Sequence, residues 1–241
     1  MTIRCEMRDD GPDVVVAVAG ELGLPDTVPL RNRLLKCLAE QPGALLLDLS
    51  GLRVNQPLAV AVFFAVLRQA AHWPGTPVLL CGPPPATREL LLTGAHQRLP
   101  LFGGLAEARA HVNDGRRSLP ALNERLPPVA GSARHARDVA TEACLRWDLP
   151  GLIPAASLIV TELVANVVDH AHTMMTLRLT LHSRDLSLAV RDGSPAPPVP
   201  SRPISPEAAG GRGLMLVGEL AHSWGWLPSE DGKVVWASLR R

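Results

Sequence analysis

The chain has 241 residues, enough for one large domain or for two of about 120 residues that each bury a core. Hydrophobic residues make up 46% and charged residues 20%, the balance of a globular chain and not of a disordered one. A net charge of +1 with no dense basic run argues against direct nucleic-acid binding. Among the 24 basic residues only Lys36 and Lys233 are lysine, an arginine bias that reads as genome composition.

Cys5, Cys37, Cys81 and Cys144 are scattered singly, without a C-x-x-C pair, so neither a zinc knuckle nor a redox couple is indicated. They read as small apolar filler in a reducing cytosol. The opening "MTIRCEMRDD" has no apolar signal core. The longest apolar run, "PLAVAVFFAVL" (57–67), has about 11 residues where a membrane span needs about 20. The expectation is a soluble cytoplasmic protein without a membrane partner.

In chain order, "VVVAVAG" (14–20) is a β-branched run that predicts a buried strand. "TVPLRNRLLKCLAE" (27–40) has helical apolar spacing with Asp26 or Thr27 at its start. "ALLLDLS" (44–50) predicts a second strand, and "PLAVAVFFAVLRQAAHW" (57–73) a helix that begins with proline. "TPVLLCG" (76–82) is a third strand, "PATRELLLTG" (85–94) a helix ended by glycine, and "LAEARAHV" (105–112) another helix. Strands alternating with helices define an α/β layer fold over residues 1–112. Residues 113–128, "NDGRRSLPALNERLPP", lack a sustained apolar period and predict a linker.

The second half, 129–241, has a different order. "SARHARDVATEACLRWDL" (132–149) and "IPAASLIVTELVANVVDHA" (153–171) predict two helices. "MMTLRLTLHS" (174–183) and "DLSLAVRDG" (185–193) alternate as paired strands do. A Pro-rich loop, 194–211, precedes the helix "RGLMLVGELAHS" (212–223) and the strand "KVVWASLR" (233–240). These elements predict an α+β sandwich. A loop of about 18 residues inside a compact domain is usually a lid or disordered.

Residues 14–112 resemble the STAS domain, the module of sulfate transporters and anti-sigma-factor antagonists. "VAVAGELGLPDTVPLRNRL", "LLLDLSGL" and "PATRELLLTGAHQRLPLF" carry the likeness, in that order. Antagonists of that family place a phosphorylatable serine in an Asp-Ser-Ser-Gly turn after the "DLSG" strand. Here those positions are Gln56, Pro57, Leu58 and Ala59, without a hydroxyl. The resemblance therefore implies a fold kept for docking and not for phosphate switching.

Three boxes mark the second half. On a helix of about 100° per residue, with Glu162 at zero, Asn166 falls near about 40°, Asp169 near about 340° and His170 near about 80°. These share an arc, opposite much of the apolar side, and supply carboxylate and amide oxygens that suit a hard cation. "VRDGSP" (190–195) ends a strand with Asp192, able to accept an exocyclic amino group, and Gly193, which permits close approach. "GGRGLMLV" (210–217) puts glycines before a helix, where free N–H groups suit a polyphosphate. A rival reading, a metal ion on Asp169, His170 and His172, meets a geometric obstacle. His170 and His172 lie about 200° apart around a continuous helix.

In this order and spacing the boxes resemble the GHKL (Bergerat) ATPase fold shared by histidine kinases, Hsp90, gyrase and MutL. The nearest likeness is to anti-sigma-factor serine kinases, and it runs over about 125–241. The resemblance implies ATP and Mg²⁺ as cofactors, with Asn166 as the Mg²⁺ ligand and Glu162 as the catalytic base. It places Asp192 and Gly193 at adenine, Gly211, Arg212, Gly213 and Leu214 along the phosphates, and Asp169 and His170 beside the nucleotide. It makes 194–210 the ATP lid. Relatives often carry "GKTVW" near the end where this chain has "GKVVW", so Val234 replaces a possible second adenine contact. The implied protein is a regulator of the anti-sigma-factor kinase type. Its partners would be a separate STAS antagonist and/or a sigma factor, and a homodimer is compatible with it. The alternative is an ATP-gated binding module without catalysis, its STAS-like half a pseudosubstrate.

Overall fold

The computed structural model describes residues 3–93, 99–115, 119–198 and 213–241. The chain folds as two units, Met1–Arg117 and Ser118–Arg241.

The first unit is an α/β layer. Strands β1 (Arg4–Asp10), β2 (Asp13–Leu22), β3 (Leu45–Asp48), β4 (Leu52–Val54), β5 (Val78–Cys81) and β6 (Leu101–Phe102) form a sheet of order β1-β2-β3-β5-β6, with β4 also on β2. Only β1 pairs antiparallel. The helices are α1 (Thr27–Ala39), α2 (Ala61–His72), α3 (Pro85–Thr93) and α4 (Leu105–Gly115). The central strands are apolar throughout because both of their faces are buried. Val15, Leu46, Leu79 and Cys81 face a cluster with Ala108 and Val112 of α4, while Val16, Leu45, Leu47 and Leu80 alternate with them and are equally buried. Burial, helped by the Asp48 carboxylate, pushes the Cys81 thiol up to about 12, the behaviour of inert filler.

After β4, the positions Gln56, Pro57, Leu58 and Ala59 form a turn without a hydroxyl. Asp48 Oδ1 accepts from the Ser50 amide at 3.0 Å, and Gln56 Oε1 accepts from the Leu24 amide at 2.6 Å. A 3₁₀ turn, Pro57–Val60, then leads into α2, so the expected single helix has a tighter first turn. Leu58 is 76% exposed there.

The second unit is one antiparallel sheet with helices on one face. Strands β7 (Ala121–Leu126), β8 (Met175–Leu181), β9 (Asp185–Asp192), β10 (Ser223–Pro228) and β11 (Lys233–Arg240) run in the order β10-β11-β9-β8-β7. The helices are α5 (Ser132–Arg146), α6 (Ile153–Asn166) and α7 (Gly213–Leu220). Leu177, Leu179, Leu186, Leu188, Val190, Val235, Ala237 and Leu239 alternate onto the helix side and join Ile159, Val160, Leu163 and Val164 of α6 in the core. Residues 121–126, expected to be linker, are instead strand β7, paired with β8 from Ala121↔Thr180 to Leu126↔Met175. Burial in β7 is confined to one face, so its apolar signal is thin.

Among the described residues, one helix, Pro150–Ala171, is long and apolar enough by length and composition to cross a membrane, with mean hydropathy 1.8 over its most apolar window. In this fold it packs as the central helix, with Ile159, Val160 and Val164 fully buried.

Candidate functional site

The site grows from the last turn of α6. After Asn166 the helix widens into a π turn, Val167–Ala171. His172 ends it with a left-handed backbone (φ 54°), and its amide donates to the Val167 carbonyl at 2.8 Å. A π turn is frequent at functional sites, and it shifts the side chains that follow it. It also takes His172 off the helix, so His170 and His172 sit in different backbone states.

The sheet register supplies the second wall. Asp192 ends β9 and lies directly opposite Lys233, the first residue of β11. Both side chains point to the helix side, in the row next to Val190 and Val235. Lys233 Nζ donates to Asp192 Oδ1 at 2.9 Å and to the Ser194 carbonyl at 3.2 Å. The Ser194 amide donates to the same Oδ1 at 2.8 Å. Asp192 is 3% exposed, and its other oxygen, Oδ2, is buried without a hydrogen-bond partner among the described residues. An unpaired buried acceptor is costly, so this oxygen suits a donor brought by a ligand. Gly232 permits the strands to close here, since a Cβ on it would collide with the Asp192 carbonyl oxygen and the Gly193 Cα.

Between these walls lies a cavity of about 190 Å³. Asn166 and His170 reach it from the helix, Asp192 and Lys233 from the sheet end, and Leu214 from α7. Val190 and Val235 contribute apolar surface, and Ser194, Ala196, Pro197 and Pro198 line one side.

The polar arc expected on the helix is thus divided. Asn166 and His170 line the cavity, together with Leu163, Val167 and Ala171, whereas Glu162 and Asp169 do not. Asp169 is exposed to solvent. Glu162 is half-buried and lies against Gly213 at the start of α7, where a Cβ would strike its Oε2. Gly193 belongs to a neighbouring hollow with Arg125, Thr173, Arg191 and Asp231, and its amide donates to Thr173 Oγ1 at 3.0 Å. The Arg191 side chain, hydrogen-bonded to Asp231 at 2.7 Å, holds that carboxyl below its ordinary range. Val234 lies on the opposite face of β11 from Lys233 and Val235 and is not among the residues that line the cavity. Gly211 and Arg212, and most of the expected lid, lie outside the described residues.

Lys233 is the site residue that sequence reasoning passed over. One sequence signal pointed to it: it is one of only two lysines in an arginine-biased chain.

Comparison with known proteins agrees with this division. Residues 126–239 match the model of the histidine kinase-like ATPase domain, and residues 5–100 match that of the STAS domain. The chain therefore carries a STAS domain followed by a histidine kinase-like ATPase domain. Among solved structures it is similar to an anti-sigma factor antagonist from Mycobacterium paratuberculosis, at 26% identity and a TM-score of 0.40, covering 47% of this chain and 96% of that one. A variant of RsbS from Moorella thermoacetica is 22% identical, with a TM-score of 0.39, over 46% of this chain and 96% of that one. The antagonist SpoIIAA in its unphosphorylated form is 15% identical, with a TM-score of 0.39, over 46% of this chain and 97% of that one. A search of the curated proteins found no match.

Proposed function

We propose that residues 118–241 bind ATP with Mg²⁺ and act in a cytoplasmic regulator of the anti-sigma-factor kinase type. The observation that carries this reading is the Asp192 carboxylate. Asp192 lines the cavity; one of its oxygens is saturated by Lys233 and the Ser194 amide, and the other is buried without a partner among the described residues. An exocyclic amino group of adenine is the donor that such an oxygen fits. Asn166 opens onto the same cavity and would offer its amide oxygen to Mg²⁺, an ion that favours oxygen ligands and keeps several waters. When bound, the ion would offset charge on the triphosphate.

In this reading the domain phosphorylates serine or threonine on a separate STAS antagonist, sequesters a sigma factor, or does both. Glu162 would accept the proton of the substrate hydroxyl while that oxygen bonds to the γ-phosphorus and ADP departs. Its place against Gly213, outside the base cavity, fits a group that works at the phosphate end. The first unit is not itself the substrate, because Pro57 and Leu58 stand where a hydroxyl is needed. A homodimer is compatible with the proposal.

The second reading, an ATP-gated binding module without catalysis, draws on that same turn. Leu58 is 76% exposed in the place of a phosphorylatable serine, as suits a pseudosubstrate. Radiolabelled ATP, Mg²⁺ and candidate STAS proteins separate the two. The kinase reading expects label transfer that Glu162→Gln abolishes while ATP affinity is kept. A wild-type protein that binds ATP-Mg²⁺ and labels no STAS protein overturns it in favour of the module.

A further inference from the structure

We infer that Lys233 is a positioning residue that sets base selectivity, making the cavity accept a purine with a 6-amino group and refuse one with a 6-oxo group. This rests on the nucleotide reading of the same cavity. Lys233 is 8% exposed, and its ammonium bridges Asp192 Oδ1 and the Ser194 carbonyl. It therefore ties the base-reading carboxylate to Ser194, the start of the loop whose Ser194, Ala196, Pro197 and Pro198 line the cavity.

The selectivity follows from hydrogen-bond bookkeeping. An ionised carboxylate only accepts. With Oδ1 taken by Lys233 and the Ser194 amide, the remaining Oδ2 presents one acceptor of fixed orientation. An amino group at the purine 6 position satisfies it, and a carbonyl there meets it lone pair to lone pair. Without the ammonium, a buried carboxyl has no counter-charge, and such groups respond by neutralising. A neutral carboxyl donates as well as accepts, so the 6-oxo base is no longer refused. Lysine is the fitting residue because its ammonium is a compact point charge. A guanidinium would bring five donors to a place that offers the two acceptors named. In a chain where all but two of the 24 basic residues are arginine, this exception stands at the site.

The test is titration calorimetry of the full chain with ATP and with inosine triphosphate. The wild type is expected to favour ATP by about tenfold or more, and Lys233→Met to bring the ratio within about threefold. Lys233→Gln keeps a donor without the charge and is expected to lose selectivity in the same way, which covers a methionine variant that does not fold. A variant that weakens both nucleotides equally, with the ratio kept, assigns Lys233 a structural role only and overturns the inference. So does a wild type that binds the two nucleotides equally. A wild type that binds neither overturns the nucleotide reading itself.

Discussion

Glu162 lies against the Cα of Gly213, so closely that a Cβ at Gly213 would run into its carboxylate. Two motifs about 50 residues apart in the sequence thus meet where α6 passes the start of α7. The glycine leaves room for the close approach of a charged side chain, and its backbone is not in the left-handed region.

Gly213→Ala is therefore expected to cost at most about 1 kcal/mol, because the struck atoms are the end of a side chain that can turn aside, and to displace the Glu162 carboxylate. Because Glu162→Ala removes the atoms it strikes, the double variant should recover most of that loss. Urea denaturation of the four proteins of this cycle measures it, and additive losses would place the strain elsewhere.

Gly232→Ala should be worse. Its Cβ would meet the Asp192 carbonyl oxygen and the Gly193 Cα, which are backbone and cannot swing aside. A loss of about 3 kcal/mol or more is expected, with the β9–β11 register disturbed at Asp192↔Lys233. Thermal melts and amide exchange at Val190 and Val235 would report it.

Acid sensitivity has a local source in His182. Burial pushes its imidazole below the ordinary value of 6.5, with Arg178 acting in the same direction and Asp185 against it. The unfolded chain then takes up a proton at higher pH than the folded one. This contribution to stability is full above pH 6.5 and is lost as pH falls through the lower folded value. The melting temperature should drop between pH 7 and 5, and His182→Gln should make that drop shallower.

The sequence showed the centre of each sheet and hid its rims. β2, β3, β5, β8, β9 and β11 announce themselves as apolar or alternating runs. β1, β4, β6, β7 and β10 each pair with a single strand, and none was legible. An edge strand needs burial on one face at most, so "RCEMRDD", "ALNERL" and "SWGWLP" carry little apolar signal. In the site, helical arithmetic put Glu162, Asn166, Asp169 and His170 on one arc. The packing of α7 divides that arc, since Gly213 takes Glu162 while Asn166 and His170 keep the cavity. Lys233 depends on strand register, which a single segment does not reveal.

The central claim is that Asp192 reads the base of a bound adenine nucleotide. Asp192→Asn tests it most directly, because Lys233 Nζ would hold the amide oxygen and leave the NH₂ where Oδ2 now stands. Calorimetric titration with ATP and Mg²⁺ should show binding to the wild type and affinity weakened by about tenfold or more in the variant. Equal affinity in the two proteins would contradict the account.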